Sequence, residues 1–146
     1  MTDQQQTTRS AACMCGAVQM TADVEATFGT CYCKMCQRWS AGTFRGVHAH
    51  NIRYRHGEDL VTVHRSSDWA NRGFCSRCGS NLFYHADGQP VSLAVGILDT
   101  IEGMTPAYEF FCDLKPAPFE QMDGARKMTS AEIEAIYGVP EDGAAQ

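Results

Sequence analysis

Short runs of β-branched and aromatic residues, separated by glycine-containing turns, dominate the pattern of hydrophobic and polar positions between residues 17 and 98. Residues 52–55 alternate strictly between apolar and charged side chains, and turn-forming residues follow at 56–59 and again at 86–90. Short strands and turns at this spacing are typical of antiparallel sheets, so the sequence predicts a mainly β fold. The predicted strands are residues 17–21, 42–49, 52–55, 60–65, 81–85 and 91–98.

One short helix is predicted close to the C-terminal end of the sequence. Thr129 and Glu132 have the spacing of a capping box, and the apolar residues that follow repeat on one side of a helix. Gly138 and Pro140 are typical of the point where a helix ends. The residues after Cys33, through Arg38, also allow a short turn of helix.

The 146 residues suit a single domain, which we expect to span residues 11–140. The polar segments 1–10 and 141–146 are predicted to be disordered tails. The N-terminal segment lacks the apolar stretch of a secretory signal. No run of about eighteen apolar residues is present, as a membrane-spanning helix would need. We therefore expect a cytoplasmic protein that has no membrane partner.

The charge balance argues against a nucleic-acid partner. The chain has 12 Lys and Arg against 17 Asp and Glu, a formal net charge of −5. Basic residues are concentrated in segment 31–78, which predicts local affinity for an anionic small molecule. Arg38, Arg45 and Arg72 are the candidates for binding substrate carboxylates, although single arginines more often have surface or structural roles.

Seven of the eight cysteines fall into three clusters, which are two pairs and one triplet. In a reducing compartment, clustered cysteines indicate metal ligands rather than disulfides. The pairs Cys13-x-Cys15 and Cys75-x-x-Cys78 are each followed by glycine, which permits a backbone conformation that points N–H groups at the sulfurs. Because four thiolates complete a tetrahedral site, we predict that these two pairs share one structural Zn²⁺.

The triplet Cys31, Cys33 and Cys36 supplies three thiolates and leaves one coordination position open, as in a catalytic zinc site. Its occupancy in the purified protein is left open. Iron–sulfur clusters usually take four cysteines at other spacings, and no βαβ pattern supports thioredoxin-like disulfide exchange. The alternative is a second structural zinc completed by a distant ligand. Candidates for that ligand are His48, His50, His64, His85 and Cys112.

A different role is expected for Cys112. It follows two phenylalanines, and we predict that it packs as a small buried apolar residue.

Together these motifs resemble those of the glutathione-dependent formaldehyde-activating enzyme family, which also includes centromere protein V-like proteins. The resemblance covers most of the chain, roughly residues 12–120, and includes the order and spacing of all seven clustered cysteines. The segments that carry it are Cys13-x-Cys15-Gly16-Ala17-Val18, Cys31-x-Cys33-x-x-Cys36-Gln37-Arg38, Arg72-Gly73-Phe74-Cys75-x-x-Cys78-Gly79-Ser80 and Gly96-Ile97-Leu98-Asp99.

The resemblance implies the β-tent fold, in which several small antiparallel sheets are folded over zinc. It also implies a structural zinc on the two cysteine pairs and a catalytic zinc on the triplet. The sequence departs from the family at Tyr32, where the family usually has a histidine. A contact between that side chain and the substrate is therefore not carried over to this chain.

The predicted function is that of a zinc-dependent carbon–sulfur lyase, similar to S-(hydroxymethyl)glutathione synthase. It would act on adducts of a small, glutathione-like thiol with an aldehyde, and the open position would accept the thiol or the aldehyde oxygen. Two alternatives belong to other classes. One is a non-enzymatic zinc module that binds another protein, and the other is a thiol or zinc redox sensor at the triplet. Formation of a homodimer is left open.

Overall fold

The fold is mainly β, as predicted. The computed structural model describes residues 5–119, 124–126 and 128–138, and within these it contains nine strands joined in one sheet. The strands are β1 (Gln6–Ala12), β2 (Gln19–Glu25), β3 (Thr27–Cys31), β4 (Phe44–His56), β5 (Val61–Arg65), β6 (Ala70–Cys75), β7 (Asn81–Ala86), β8 (Val91–Ala94) and β9 (Thr105–Phe110). The helices are α1 (Lys34–Ser40) and α2 (Ser130–Tyr137).

The chain divides into two compact units, Met1–Lys115 and Pro116–Gln146. All nine strands and α1 belong to the first unit, and α2 belongs to the second. Among the described residues, neither helix has the length and apolar content needed to cross a bilayer.

The long strand β4 connects the strands into a single sheet. The order is β1-β2-β4-β8-β7-β6-β5 with antiparallel pairing throughout, and β3 joins at the side by pairing antiparallel with β4 and parallel with β9. With 13 residues, β4 pairs with β2 along its second half and with β3 and β8 along its first half. The strands therefore form one hydrogen-bonded network, whereas the family resemblance implied several small antiparallel sheets.

The core lies where β2, β4, β7 and β8 bury their apolar side chains. In β2 the buried residues alternate with polar ones, which is the period-2 pattern of a strand with one buried face. Burial of each large core side chain contributes about 1.5–3 kcal/mol. The largest fully buried side chains on these strands are Met20, Val24, Val47, Leu82 and Leu93.

The C-terminal helix α2 begins at the predicted capping box. The Glu132 carboxylate accepts a hydrogen bond from the Thr129 N–H at 2.7 Å, and the Thr129 hydroxyl accepts one from the Glu132 N–H at 3.3 Å. The helix ends at Gly138, which has a φ of 66°. The short helix after Cys33 is also present, as α1. Pro140 lies outside the described residues.

Two expectations from the sequence are wrong. Residues 6–10 were expected in a disordered tail but lie in β1, which pairs with β2 from Gln6 to Ala12 through backbone hydrogen bonds. Their side chains are mainly polar and exposed, so no hydrophobic pattern marks the strand. Cys112 was expected to be buried but is exposed at the start of a 3₁₀ turn, Cys112–Leu114. The predicted tail at 141–146 lies outside the described residues.

Gly57 offers a test of the turn between β4 and β5. It has a φ of 74°, and a Cβ at this position would fall on the carbonyl oxygen of Ala17. An alanine would strain the backbone at this φ, and its Cβ would overlap the Ala17 carbonyl. We therefore expect Gly57→Ala to lower the free energy of unfolding by about 2–4 kcal/mol. Urea denaturation of the purified variants measures this change.

Gly88 is the matched control for Gly57. It has a φ of 73°, and no atom lies within 4 Å of the position of its Cβ. Gly88→Ala should therefore cost only the strain, about 1–2 kcal/mol. Equal losses for the two variants would contradict the packing of this turn against Ala17.

Candidate functional site

The first cysteine cluster brings together parts of the chain that are distant in sequence. The sulfurs of Cys13, Cys15, Cys75 and Cys78 all lie within 4.8 Å of one another. Cys13 and Cys15 follow β1, whereas Cys75 ends β6 and Cys78 lies in the turn before β7. These are the four cysteines that the sequence predicts to share one site. The cluster links the N-terminal hairpin to the β6–β7 hairpin.

Hydrogen-bond donors surround these sulfurs. The Val18 N–H donates to the Cys13 sulfur at 3.3 Å, and the Ser80 hydroxyl lies 3.2 Å from the Cys78 sulfur. The glycines after the two pairs have positive φ angles of 75° and 78°, as predicted. Burial raises the pKa of Cys78, but hydrogen bonds from Ser80 outweigh it and lower that pKa to about 6. Such surroundings favour the thiolate, the form that binds metal, at Cys78. The hydrogen bond from the Ala17 N–H lowers the pKa of Cys15, but burial and hydrogen bonds with the other cysteines outweigh it and raise that pKa to about 11.

The second cluster is local and is formed where β3 meets α1. The sulfurs of Cys31, Cys33 and Cys36 lie within 4.8 Å of one another. Cys31 is the last residue of β3, Cys33 caps the start of α1, and Cys36 lies in the first helical turn. The Cys36 N–H donates to the Cys33 sulfur at 3.3 Å. The short helix therefore holds two of the three sulfurs on the same side as the strand end.

Within the described part of the chain, none of the predicted fourth ligands joins this triplet. His50 contacts Glu25 instead, His85 lies 3.0 Å from the Gln89 carbonyl oxygen, and His64 and Cys112 are exposed. His48 does not join the triplet either, but it lines the cavity on which the triplet opens. The geometry matches a three-sulfur group with one side facing an open space.

Arg72 is buried against the triplet, with only 4% of its surface exposed. Its Nη1 and Nη2 atoms lie 3.7 and 3.6 Å from the Cys36 sulfur. Its guanidinium lies 4.8 Å from the ring centre of Trp39 and 5.0 Å from that of Tyr84. A buried cation needs compensation, and here two aromatic faces and a cysteine sulfur provide it.

Contacts around the triplet shift the pKa values of Cys31 and Cys36 in opposite directions. The hydrogen bond from Cys36 lowers the pKa of Cys31 to about 6 despite burial, and the charge of Arg72 acts in the same direction. The same hydrogen bond, together with burial, raises the pKa of Cys36. Of these two thiols, Cys31 is therefore the one whose surroundings favour the thiolate.

The three predicted substrate arginines occupy different surroundings. Arg38 and Arg45 are exposed, and neither forms part of the cavity wall. Arg72 does line the cavity, but its guanidinium is engaged by Cys36 and by two aromatic rings. Sequence position did not distinguish these arginines, because the burial of Arg72 depends on its contacts with residues of α1 and β7.

A cavity of about 570 Å³ opens on the triplet, and all three of its cysteines line the wall. One wall carries a polar pair, in which His48 Nδ1 lies 3.5 Å from Glu25 Oε2. The remaining wall is mainly apolar and aromatic. Its large side chains are Phe28, Met35, Phe44, Trp69, Tyr84, Tyr108, Phe110 and Phe111.

Tyr32 forms no part of the cavity wall, although it lies between two triplet cysteines. It is 7% exposed, and its hydroxyl donates to Glu109 Oε1 at 3.0 Å. Lys115 Nζ donates to the same oxygen at 3.1 Å and lies 5.1 Å from the centre of the Tyr32 ring. The Tyr32 N–H also donates to the Phe110 carbonyl at 3.0 Å. Tyr32 thus attaches β9 to the triplet.

Sequence reasoning missed this contribution of β9. The run 108–110, Tyr-Glu-Phe, alternates between aromatic and charged residues, which is a strand signal. The sequence analysis also did not identify Trp39, Tyr84 or Glu25 as residues of the site, or the contact between His48 and Glu25. Those contacts join residues far apart in sequence.

The chain is similar to known proteins in sequence and in fold. The family model for "Glutathione-dependent formaldehyde-activating enzyme" matches residues 8–114. A Schizosaccharomyces pombe protein named as an uncharacterised lyase is 24% identical over 124 residues, covering 83% of this chain and 90% of its own. A crystal structure of a Rhodobacter sphaeroides protein, 20% identical, has a TM-score of 0.54 over 67% of this chain and 99% of that chain. At this identity, the last comparison concerns the fold alone.

Arg72→Lys tests the buried cation. Lysine has no planar fork that can donate twice to one sulfur while stacking between two rings. We expect the free energy of unfolding to fall by about 1–3 kcal/mol in urea denaturation. The control Arg38→Lys changes an exposed arginine and should stay within about 0.5 kcal/mol of the parent chain. Equal effects would contradict the role assigned to Arg72.

Proposed function

Because this chain belongs to the glutathione-dependent formaldehyde-activating enzyme family, we propose that it is a zinc-dependent carbon–sulfur lyase. Its substrates would be adducts of a small, glutathione-like thiol with an aldehyde. The family match and the lyase-named relative support an enzyme of lyase type. The observation that carries the finer proposal is the triplet of sulfurs opening on a cavity large enough for a small molecule.

The cysteine sulfurs of both clusters are suitable ligands for zinc. Thiolates bound to Zn²⁺ at about 2.3 Å stand about 3.8 Å apart in a tetrahedron. The sulfurs of each cluster already lie within 4.8 Å of one another. Cys13, Cys15, Cys75 and Cys78 would hold a structural zinc, and the triplet would hold a catalytic zinc with one open position.

When bound at the triplet, zinc would supply a Lewis acid and would favour the deprotonated form of a substrate thiol. The reaction itself exchanges no electrons with a partner. In the direction of condensation, the thiol sulfur bonds to the carbonyl carbon, and the thiol proton ends on the carbonyl oxygen. The reverse direction breaks the same carbon–sulfur bond and returns the proton to sulfur.

Two side chains, Arg72 and His48, would stabilise charge and transfer the proton in this reaction. Arg72 acts through Cys36 as a positioning residue, because its positive charge stabilises negative sulfur at the triplet. His48 lies on the cavity wall with Nδ1 towards Glu25, which leaves Nε2 as the nitrogen that can exchange a proton with substrate. We assign proton transfer to the His48–Glu25 pair on this basis.

The proposed location is the cytoplasm. Clustered thiols keep their metal in a reducing compartment, where disulfide formation does not compete. The proposed zinc sites and this location therefore depend on the same chemistry.

Metal content tests the two proposed sites. The ligand sets predict about two Zn²⁺ per purified chain by elemental analysis. Cys33→Ser should lose one zinc and keep the fold, because the triplet lies entirely within residues 31–36. Cys78→Ser should lose the other zinc and much of the stability, because that cluster connects distant hairpins. Circular dichroism and thermal unfolding measure the second difference.

The comparison of the two serine variants decides the role of the triplet. If Cys33→Ser unfolds as thoroughly as Cys78→Ser, the triplet is a structural site and the enzyme proposal loses its main support. A chain that binds a single zinc when reconstituted with excess metal would also count against it.

The proposed proton transfer is tested by His48→Gln. The loss of one acid–base group should lower kcat about a hundredfold for adduct formation between glutathione and formaldehyde, measured by proton NMR. The pH dependence of kcat should flatten as well, which a purely structural change would not cause. His64→Gln alters an exposed histidine of β5 outside the cavity and should leave the rate unchanged. Equal rates for the two variants would remove His48 from the mechanism.

A further inference from the structure

We propose that the cavity selects adducts whose aldehyde-derived part is an apolar aromatic group, in preference to the one-carbon formaldehyde adduct. The inference rests on the proposed function, because it names the substrate class of the same site. Three observations support it: the composition of the wall, the exposure of its aromatic rim, and the state of its charged groups.

The wall is much larger and more apolar than a one-carbon substituent needs. The reacting carbon has to lie at the triplet, so the substituent on that carbon extends into the cavity of about 570 Å³. Cavities of this size suit drug-sized ligands. A hydroxymethyl group has only two heavy atoms and would leave most of the aromatic wall uncovered, whereas a phenyl or benzyl group would contact it.

The rim of the cavity consists of large apolar side chains that remain open to solvent. Trp69 and Phe110 are 56% and 53% exposed, and Tyr108, Phe111 and Met35 are also exposed. Side chains of this kind are usually buried, and a cluster of exposed ones indicates a binding surface. An apolar ligand group would shield them from water.

Part of this rim is already held in place for a ligand. The ring of Phe110 packs on Gly29, where an added Cβ would lie only 3.0 Å from its Cε2 atom. The rings of Phe110 and Tyr108 stack with their centres 5.9 Å apart. The parallel pairing of β3 with β9 holds both aromatic residues beside the triplet. A flat apolar group would therefore meet a preformed surface, which lowers the cost of binding.

The charged residues of the wall are already engaged. Arg72 contacts Cys36 and two aromatic rings, and Glu25 and His48 contact each other. The carboxylates of a glutathione-like thiol would therefore gain little inside the cavity. The geometry places the apolar part of the adduct inside and the peptide part at the mouth.

Stable thioether analogues test the inference without turnover. We expect S-benzylglutathione to bind the zinc-loaded full chain about tenfold to a hundredfold more tightly than S-methylglutathione, because the ring is buried on binding. Isothermal titration calorimetry measures both affinities. Phe110→Ser should reduce the ratio of affinities to about threefold or less. Ile101→Ser changes an exposed apolar residue outside the cavity and should preserve the ratio.

The outcomes separate this inference from the proposed function. Equal affinity for the two analogues, or turnover of formaldehyde without turnover of phenylacetaldehyde, would overturn the preference and leave the lyase proposal intact. Binding of neither analogue would overturn both the preference and the use of glutathione. Tyr108→Ser provides a second rim variant, and an unchanged ratio in both rim variants that fold like the parent chain would also refute the inference.

Discussion

The contact between the buried Arg72 guanidinium and the Cys36 sulfur connects the sheet to the candidate site. Arg72 lies on β6 opposite Tyr84 of β7, while Cys36 and Trp39 belong to α1. Burying a cation is costly unless negative charge and polarisable groups surround it. The contact joins α1 to the sheet, and the hydrogen bond from Cys36 together with the charge of Arg72 lowers the pKa of Cys31.

The two cysteine clusters differ in the parts of the chain that they connect. The four-sulfur cluster joins residues that are at least sixty positions apart, since Cys15 precedes Cys75 by 60 residues. Metal bound there would stabilise the fold directly, because the unfolded chain has no such site. The triplet lies within six residues, and the contact between Cys36 and Arg72 connects it to β6. It opens on the cavity, where we propose that the substrate binds.

Tyr32, where the resemblance leads us to expect a histidine, lies between two triplet cysteines but outside the cavity wall. Its hydroxyl turns to Glu109, and hydrogen bonds from Lys115 and Tyr32 lower the pKa of that carboxyl. The side chain attaches β9, and β9 supplies aromatic residues to the cavity wall. Tyr32 therefore connects the triplet segment to the strand that contributes Tyr108 and Phe110 to the cavity wall.

Local patterns in the sequence determined the β class, the capping box of α2 and the division of seven cysteines into a four and a three. Each depends on residues close in sequence, on metal-ligand spacing or on a known family pattern. Tertiary structure alone decided that Arg72 is buried while Arg38 and Arg45 are exposed, and that Cys112 lies at the surface. It also decided the parallel pairing of β3 with β9. These features depend on contacts between distant residues, because burial and charge compensation arise only when the sheet, the helix and the connecting segments pack together.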